Sequence, residues 1–262
     1  MFWVLFLLAA WAGVLVSCSR LLRAATRAAE PAPGSAPSHH HHDELSLYEA
    51  AYLAGGPMRV ADLTLVSMQR QRRLLLAHTG WATVVDPVGR DPHERSVLGA
   101  FGPDGQSPVP AVRSAVAGDE AVRDLADRLG EAGLALSEGV RGGIGAGIRG
   151  VQGATLLVLA MAAASLAVPP EGITTTMVLV WFSLPLILCL GCLGIAGFDG
   201  HLHSPWASPA GQRLLVALDE EQGEEESLAA VAVRGVRAVG DPGLRAALRY
   251  GNRGRIPGQR GQ

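Results

Sequence analysis

Four stretches of the sequence have residue types and spacings that invite a chemical reading. Cys189-Leu190-Gly191-Cys192 has the two-residue spacing of thiol–disulfide redox sites. It lies inside a long uncharged run, where a thiolate is poorly solvated, so the two cysteines read as small packing residues. His39–His42 is a run of four imidazoles, a set that can hold a transition metal. It follows a Pro/Gly/Ser linker and has only Asp43 and Glu44 beside it, so it reads as tract expansion or a cloning remnant. Asp199, His201 and His203 form a third set, spaced as in an extended segment and without an indicated fourth ligand. Gly139–Gly153 (GVRGGIGAGIRGVQG) has the glycine content of a phosphate cradle but neither a Gly-Lys-Ser/Thr ending nor a preceding strand. It reads as a flexible joint.

The chain also lacks G-x-S-x-G, H-E-x-x-H, Walker and dinucleotide-binding patterns. The sequence therefore assigns no catalytic, cofactor-binding or metal-ligating residue, and the expectation is a non-enzymatic protein without a cofactor.

The elements that carry these residues are dominated by apolar runs. Phe2–Val16 (FWVLFLLAAWAGVLV) is uncharged, and the uncharged run continues to Arg20. About 20 such residues cross a bilayer. Leu15-Val16-Ser17-Cys18 resembles a lipoprotein cleavage box, in which Cys18 would become a lipidated terminus. A signal peptide, however, normally opens with positive charge, and here the first arginine follows the apolar run. Val151–Val168 and Ile173–Phe198 are two further uncharged runs joined by Pro169-Pro170-Glu171-Gly172, which reads as a membrane hairpin. Pro185 should kink its second helix, and Gly191, Gly194 and Gly197 offer a smooth packing face.

Arginine places the flanks. Arg20, Arg23 and Arg27 follow the first run, Arg141 and Arg149 precede the second, and Arg213 follows the third, while the hairpin loop carries only Glu171. The positive-inside rule puts the N-terminus outside and both polar regions in the cytoplasm of a bacterial cell (inner) membrane.

Over the whole chain the 22 basic residues, all arginine, nearly balance 24 acids. The three cysteines cannot form the disulfide framework of an exported domain. The expected organisation is an N-terminal transmembrane helix (1–22), a basic, Pro-rich and His-containing linker (23–44), a globular domain (45–138), the glycine joint (139–150), the hairpin (151–198), a C-terminal cytoplasmic helical region (199–250) and a disordered tail (251–262).

Within 45–138 the pattern is helix, tight turn, helix and strand hairpin. Ser46 and Glu49 cap a helix carrying Leu47, Tyr48, Ala51 and Tyr52, and Gly55-Gly56-Pro57 stops it. A second helix over about Arg59–Arg72 turns Val60, Leu63, Thr64, Val66 and Ser67 inward. Leu74–Ala77 and Trp81–Val85 read as two short strands. This is the element order of a winged helix, with a degenerate repeat of 45–88 suggested over 92–138. Across Asp43–Val140 there are 9 arginines against 14 acids, whereas a duplex-binding domain shows a basic face. The fold class expected is a mainly α membrane protein: three transmembrane helices with a cytoplasmic α+β winged-helix-like domain.

At Tyr48-Glu49-x-Ala51-x-Leu53-x-Gly55-Gly56-Pro57-x-Arg59-Val60 the chain resembles an uncharacterised family of actinobacterial membrane proteins. Members carry this block after an N-terminal membrane helix, and the likeness continues through the hairpin into Gly211–Leu248. Many members end in a Cys/Gly-rich tail, whereas this chain ends in an Arg/Gly tail. The resemblance implies the architecture and no activity. The function expected is that of an integral membrane protein, with the lipid bilayer as one partner and an unidentified protein docked on the cytoplasmic domain. The alternatives are a membrane-tethered transcription regulator and a lipoprotein with an exported domain.

Overall fold

The computed structural model describes residues 2–29, 45–167, 175–202, 204–222 and 227–253. His39–His42, His203, the hairpin loop Pro169–Gly172 and residues 254–262 of the tail lie outside them. In chain order the elements are α1 (Phe2–Ala29), α2 (Leu47–Gly55), α3 (Pro57–Arg70), β1 (Leu74–Leu76), β2 (Trp81–Val84), α4 (Pro92–Gly99), β3 (Gln106–Pro108), α5 (Val109–Ala117), α6 (Glu120–Glu131), α7 (Glu138–Ala167), α8 (Thr175–Leu202), α9 (Pro209–Gln222), α10 (Leu228–Arg234) and α11 (Pro242–Arg253). The described residues are mostly helical with one small three-stranded sheet, and the chain divides into two compact units.

The first unit is made of α1, α7 and α8, which pack on one another. Its interior is narrow: Ala10 and Val14 of α1 meet Val151, Ala154 and Val158 of α7 and Phe182 and Cys189 of α8. Its outer surface is apolar as well, with Leu8, Leu15, Leu156, Leu159, Leu184 and Ile187 all exposed. Among the described residues one helix, over Glu138–Leu166, is long and apolar enough to cross a membrane, and the apolar stretches Leu7–Arg20 and Leu179–Gly194 are shorter. One of the three expected spans thus meets that measure.

Two expectations for this unit are corrected. Gly139–Gly150 is not a joint, because α7 runs without a break from Glu138 to Ala167. Glycine costs a helix about 1 kcal/mol per residue, but it also lets a neighbouring backbone approach. Gly147 is buried, and a Cβ at Gly150 would come within 3.9 Å of Ser17 Oγ on α1. Asp199 and His201 are not in an extended segment, since α8 continues to Leu202 with Pro185 inside it.

The second unit comprises residues 32–135 and Trp206 onward. Ser46 and Glu49 form the expected capping box at the start of α2: Ser46 Oγ accepts from Glu49 N at 3.3 Å and Glu49 Oε2 accepts from Ser46 N at 2.9 Å. The hairpin is also as expected, with Leu74 opposite Val84, Leu75 opposite Thr83 and Leu76 opposite Ala82. β3 adds a third antiparallel strand, pairing Trp81 with Pro108 and Thr83 with Gln106. It lies between α4 and α5, whereas the hairpin follows α2 and α3. The second half therefore lacks the order of the first, and the repeat expected over 92–138 is not present in the fold.

The larger correction concerns the C-terminal region. It is not a separate element set over 199–250, because Trp206 onward belongs to the same unit as residues 45–135. Ala207, Leu215, Val231, Ala232, Val239, Leu244, Ala247 and Leu248 complete the core that α2, α3 and α5 begin. The physical reason lies in α3. Val60, Ala61, Leu63, Leu65, Val66 and Met68 are all buried, as are Asp62 and Thr64, so the middle of α3 has no water-facing side and needs neighbours all round. α2, α4 and α5 supply some of these, and α10 supplies another.

The corner between α2 and α3 depends on a glycine. Gly56 has φ +70° and faces the indole of Trp206, so a Cβ there would strike the ring. Trp206 also stands edge-on to Tyr52, with centroids 5.5 Å apart. Gly56→Ala is expected to destabilise the fold by about 2–4 kcal/mol, through a left-handed backbone that costs about 1–2 kcal/mol and overpacking of similar size. Denaturant unfolding of the purified chain measures it.

Candidate docking face

The polar residues of the second unit first sort into structural ties. Arg59 donates from Nη1 to Val233 O at 2.8 Å at the end of α10, where helix carbonyls lack intrahelical partners. Gly235, which caps that helix at φ +73°, lies against the same guanidinium. The Gly55-Gly56-Pro57-x-Arg59 signature therefore builds a corner and fastens it to α10.

Arg73 is buried just before β1 and ties three segments. It donates from Nη1 to Glu94 Oε2 at 2.7 Å and from Nε to Asp86 Oδ2 at 3.1 Å. Tyr48 donates to Asp91 Oδ2 at 2.9 Å and stacks on His93 with centroids 4.2 Å apart. Burial, together with the Asp91 carboxylate, pushes the Tyr48 phenol up, and burial pushes His93 down towards neutrality. Both rings therefore stay uncharged at neutral pH.

Nothing in these ties makes a nucleophile–base pair. Among the described residues no group of three or more His, Cys, Asp or Glu side chains could hold a metal ion. Cys189 is buried in the core of the first unit, and Cys192 Sγ lies 3.4 Å from Cys18 Sγ. All three cysteines are free thiols. An open cleft of about 510 Å³ between α4, α5 and α6 is lined by Arg95, Asp119, Glu120 and Asp124. Asp119 is occupied as the N-cap of α6, accepting from Ala121 N at 3.0 Å.

The feature left over is one face of the sheet. Side chains alternate along a strand, so Ala82 and Val84 point inward with Leu74 and Leu76, and Leu75, Trp81 and Val85 point outward. Those three are 57%, 49% and 62% exposed, and Val88 just beyond is 64% exposed. Pro108, opposite Trp81 on β3, is exposed too. The ladder continues one step past β2, with Val85 N donating to Arg73 O at 2.9 Å. Arg72 and Arg90 are exposed near this end, and Arg90 donates to Gln71 Oε1 at 3.0 Å. The edge of β1 is less open than its face, because Leu76 N donates to Gln69 Oε1 at 3.0 Å.

Sequence reasoning found both strands but not this face. Leu74–Leu76 and Trp81–Val85 are apolar at nearly every position, so alternation alone cannot separate the buried side from the exposed one. No family model, curated protein or solved structure matches the chain.

Proposed function

We propose that this is an integral membrane protein without catalytic activity, whose polar domain docks a partner protein on the outer face of its small sheet. The observation that carries the reading is the cluster of exposed apolar side chains Leu75, Trp81, Val85 and Val88 at the sheet, whereas the domain's other exposed large apolar side chains, Leu47, Met58 and Val216, lie on helices. Water-exposed apolar patches of this kind mark interaction surfaces, and tryptophan is the residue type most enriched among binding hot spots. Arg72 and Arg90 at one end fit a partner that presents apolar side chains flanked by carboxylates.

The membrane part of the proposal has three spanning helices, α1, α7 and α8, with the hairpin loop outside and the polar domain in the cytoplasm. Supporting it are the apolar exterior of the first unit and the arginine flanks. A retained α1 is favoured over a cleaved lipoprotein signal by its packing. Removing it at Cys18 would uncover Val151, Ala154 and Val158 of α7, which it helps to bury. The winged-helix likeness goes no further than the order helix, helix, hairpin. α3, which precedes the hairpin where a recognition helix would stand, keeps eight of its residues buried and so has little surface to place in a groove.

Trp81→Asp tests the docking reading in the full-length protein in native membranes. The expected result is an unchanged fold with recovery of a cross-linked protein partner reduced about tenfold or more, as for a central hot spot of about 2 kcal/mol. No reproducible partner, or one retained equally by Trp81→Asp, would overturn it.

A further inference from the structure

All three cysteines lie in the first unit, and two of them meet although 174 positions separate them in the chain. Cys18 Sγ on α1 is 3.4 Å from Cys192 Sγ on α8, both part-buried, while Cys189, one turn earlier on α8, is buried in the core among Ala10, Val14 and Phe182. The pair sits towards the polar end of α1. Ser19 and the exposed Arg20 follow Cys18 directly, and Ser17 lies beside Gly150, the neighbour of the exposed Arg149 on α7. Water-soluble reagents can therefore reach this level of the bundle, whereas Cys189 is shielded by packing.

From this juxtaposition we propose that Cys18 and Cys192 are a redox-modification site: a thiol pair that closes to a disulfide and covalently ties α1 to α8. This rests on α1 being retained, as in the reading above. The oxidant required is a small or protein disulfide. A thiolate of the pair attacks one sulfur of that oxidant, forming a mixed disulfide and releasing one thiol. The second cysteine then attacks the mixed disulfide and releases the other thiol. Two protein thiols and one external disulfide thus become one protein disulfide and two external thiols, and both protons leave on the released thiols. In a reducing cytoplasm the pair rests as thiols, and a rise in the disulfide pool closes it.

The consequence follows from connectivity. The chain leaves α1 towards residues 45–135 and leaves α8 towards Trp206, so two of the three passages between the units begin on the helices that the bond would join. Closing the pair joins those two helices covalently and adds no bond to α7, from which the third passage leaves.

The test uses the full-length protein in native membranes, treated with oxidised glutathione, alkylated with N-ethylmaleimide, and read by intact mass and peptide mapping. In wild type and in Cys189→Ser, oxidation should remove two maleimide adducts per chain, yield a linked peptide containing Cys18 and Cys192, and be reversed by dithiothreitol. In Cys18→Ser and Cys192→Ser the intramolecular link should be absent. Three outcomes would overturn the proposal: all three wild-type thiols remaining alkylatable, the loss of two adducts persisting in Cys18→Ser through a Cys189–Cys192 bond, or a linked species with the mass of a dimer. A wild-type mass lacking residues 1–17 would instead overturn the retained helix on which the proposal rests, so the two failures are distinguishable.

Discussion

Residues 45–138 expressed alone are expected to form no cooperative fold, although they contain the whole sheet and five of the helices. The missing region supplies Leu215, Val231, Val239, Leu244 and Leu248, all buried, along with Ala207, Ala232 and Ala247. Burying a leucine or valine is worth about 1.5–3 kcal/mol, so these five large side chains contribute about 10 kcal/mol. That is comparable with the whole stability of a typical domain, about 5–15 kcal/mol. The fragment also loses the α10 carbonyls that hold Arg59 and the Leu248 carbonyl that holds Arg113.

The complementary protein should fold without a membrane. Ala135 and Ala207 form an antiparallel bridge, and Ser208 N donates to Leu134 O at 2.8 Å. The two chain ends therefore lie as close as the strands of a hairpin, and about four residues of Gly/Ser can replace 136–205. Circular dichroism and a single sharp unfolding transition check both outcomes. A cooperative 45–138 fragment would refute the shared core.

The second large effect is expected at Arg113. This residue of α5 reaches two other helices. Its Nη2 donates to Asp62 Oδ2 of α3 at 2.8 Å, its Nε lies 2.6 Å from Asp62 Oδ1, and its Nη1 donates to Leu248 O of α11 at 3.2 Å. Asp62 and Arg113 are only 4% and 7% exposed. Removing one member of a buried pair strands the other, so Arg113→Ala should destabilise the fold by about 3–5 kcal/mol. Replacing both, as Asp62→Leu with Arg113→Met, should recover most of that loss, because neither charge then has to be desolvated.

The same pair gives a pH dependence. Burial raises the Asp62 carboxyl from its ordinary 3.8 to about 6, outweighing the Arg113 and Arg59 cations that favour its ionised form. Since the folded value is the higher one, the folded chain still holds this proton where the unfolded chain has released it. Its contribution to stability is complete below the ordinary carboxylate value and is lost as pH rises through about 6. Relative to Asp62→Asn, wild type should lose about 2 kcal/mol between pH 4 and pH 7. Unfolding titrations of the two proteins at matched pH give the difference directly, and a constant difference would exclude the shift.

Much of this fold is legible in local sequence, because local rules act over a few residues. Ser46 and Glu49 announce a cap by type and spacing, Gly55-Gly56-Pro57 announces a turn, and Trp81–Val85 announces a strand by composition. Arg72 shows a limit of the same rules, since it takes φ 58° just beyond α3, where glycine would be expected. Local rules also mislead where composition imitates another state: Gly139–Gly150 has the glycine content of a flexible linker, yet it is helical in α7.

What the sequence determined by itself was therefore the character of each segment: uncharged apolar runs, an acidic helical part, and short local caps and turns. What the tertiary structure decided was which segments belong together. The C-terminal helices close the core begun before α7, the outer sheet face stays uncovered, and Cys18 meets Cys192. Each of these joins residues far apart in the chain through burial and contact. Spacing along the sequence carries no record of such meetings, because the hydrophobic effect rewards area removed from water and is indifferent to the order in which the chain supplies it.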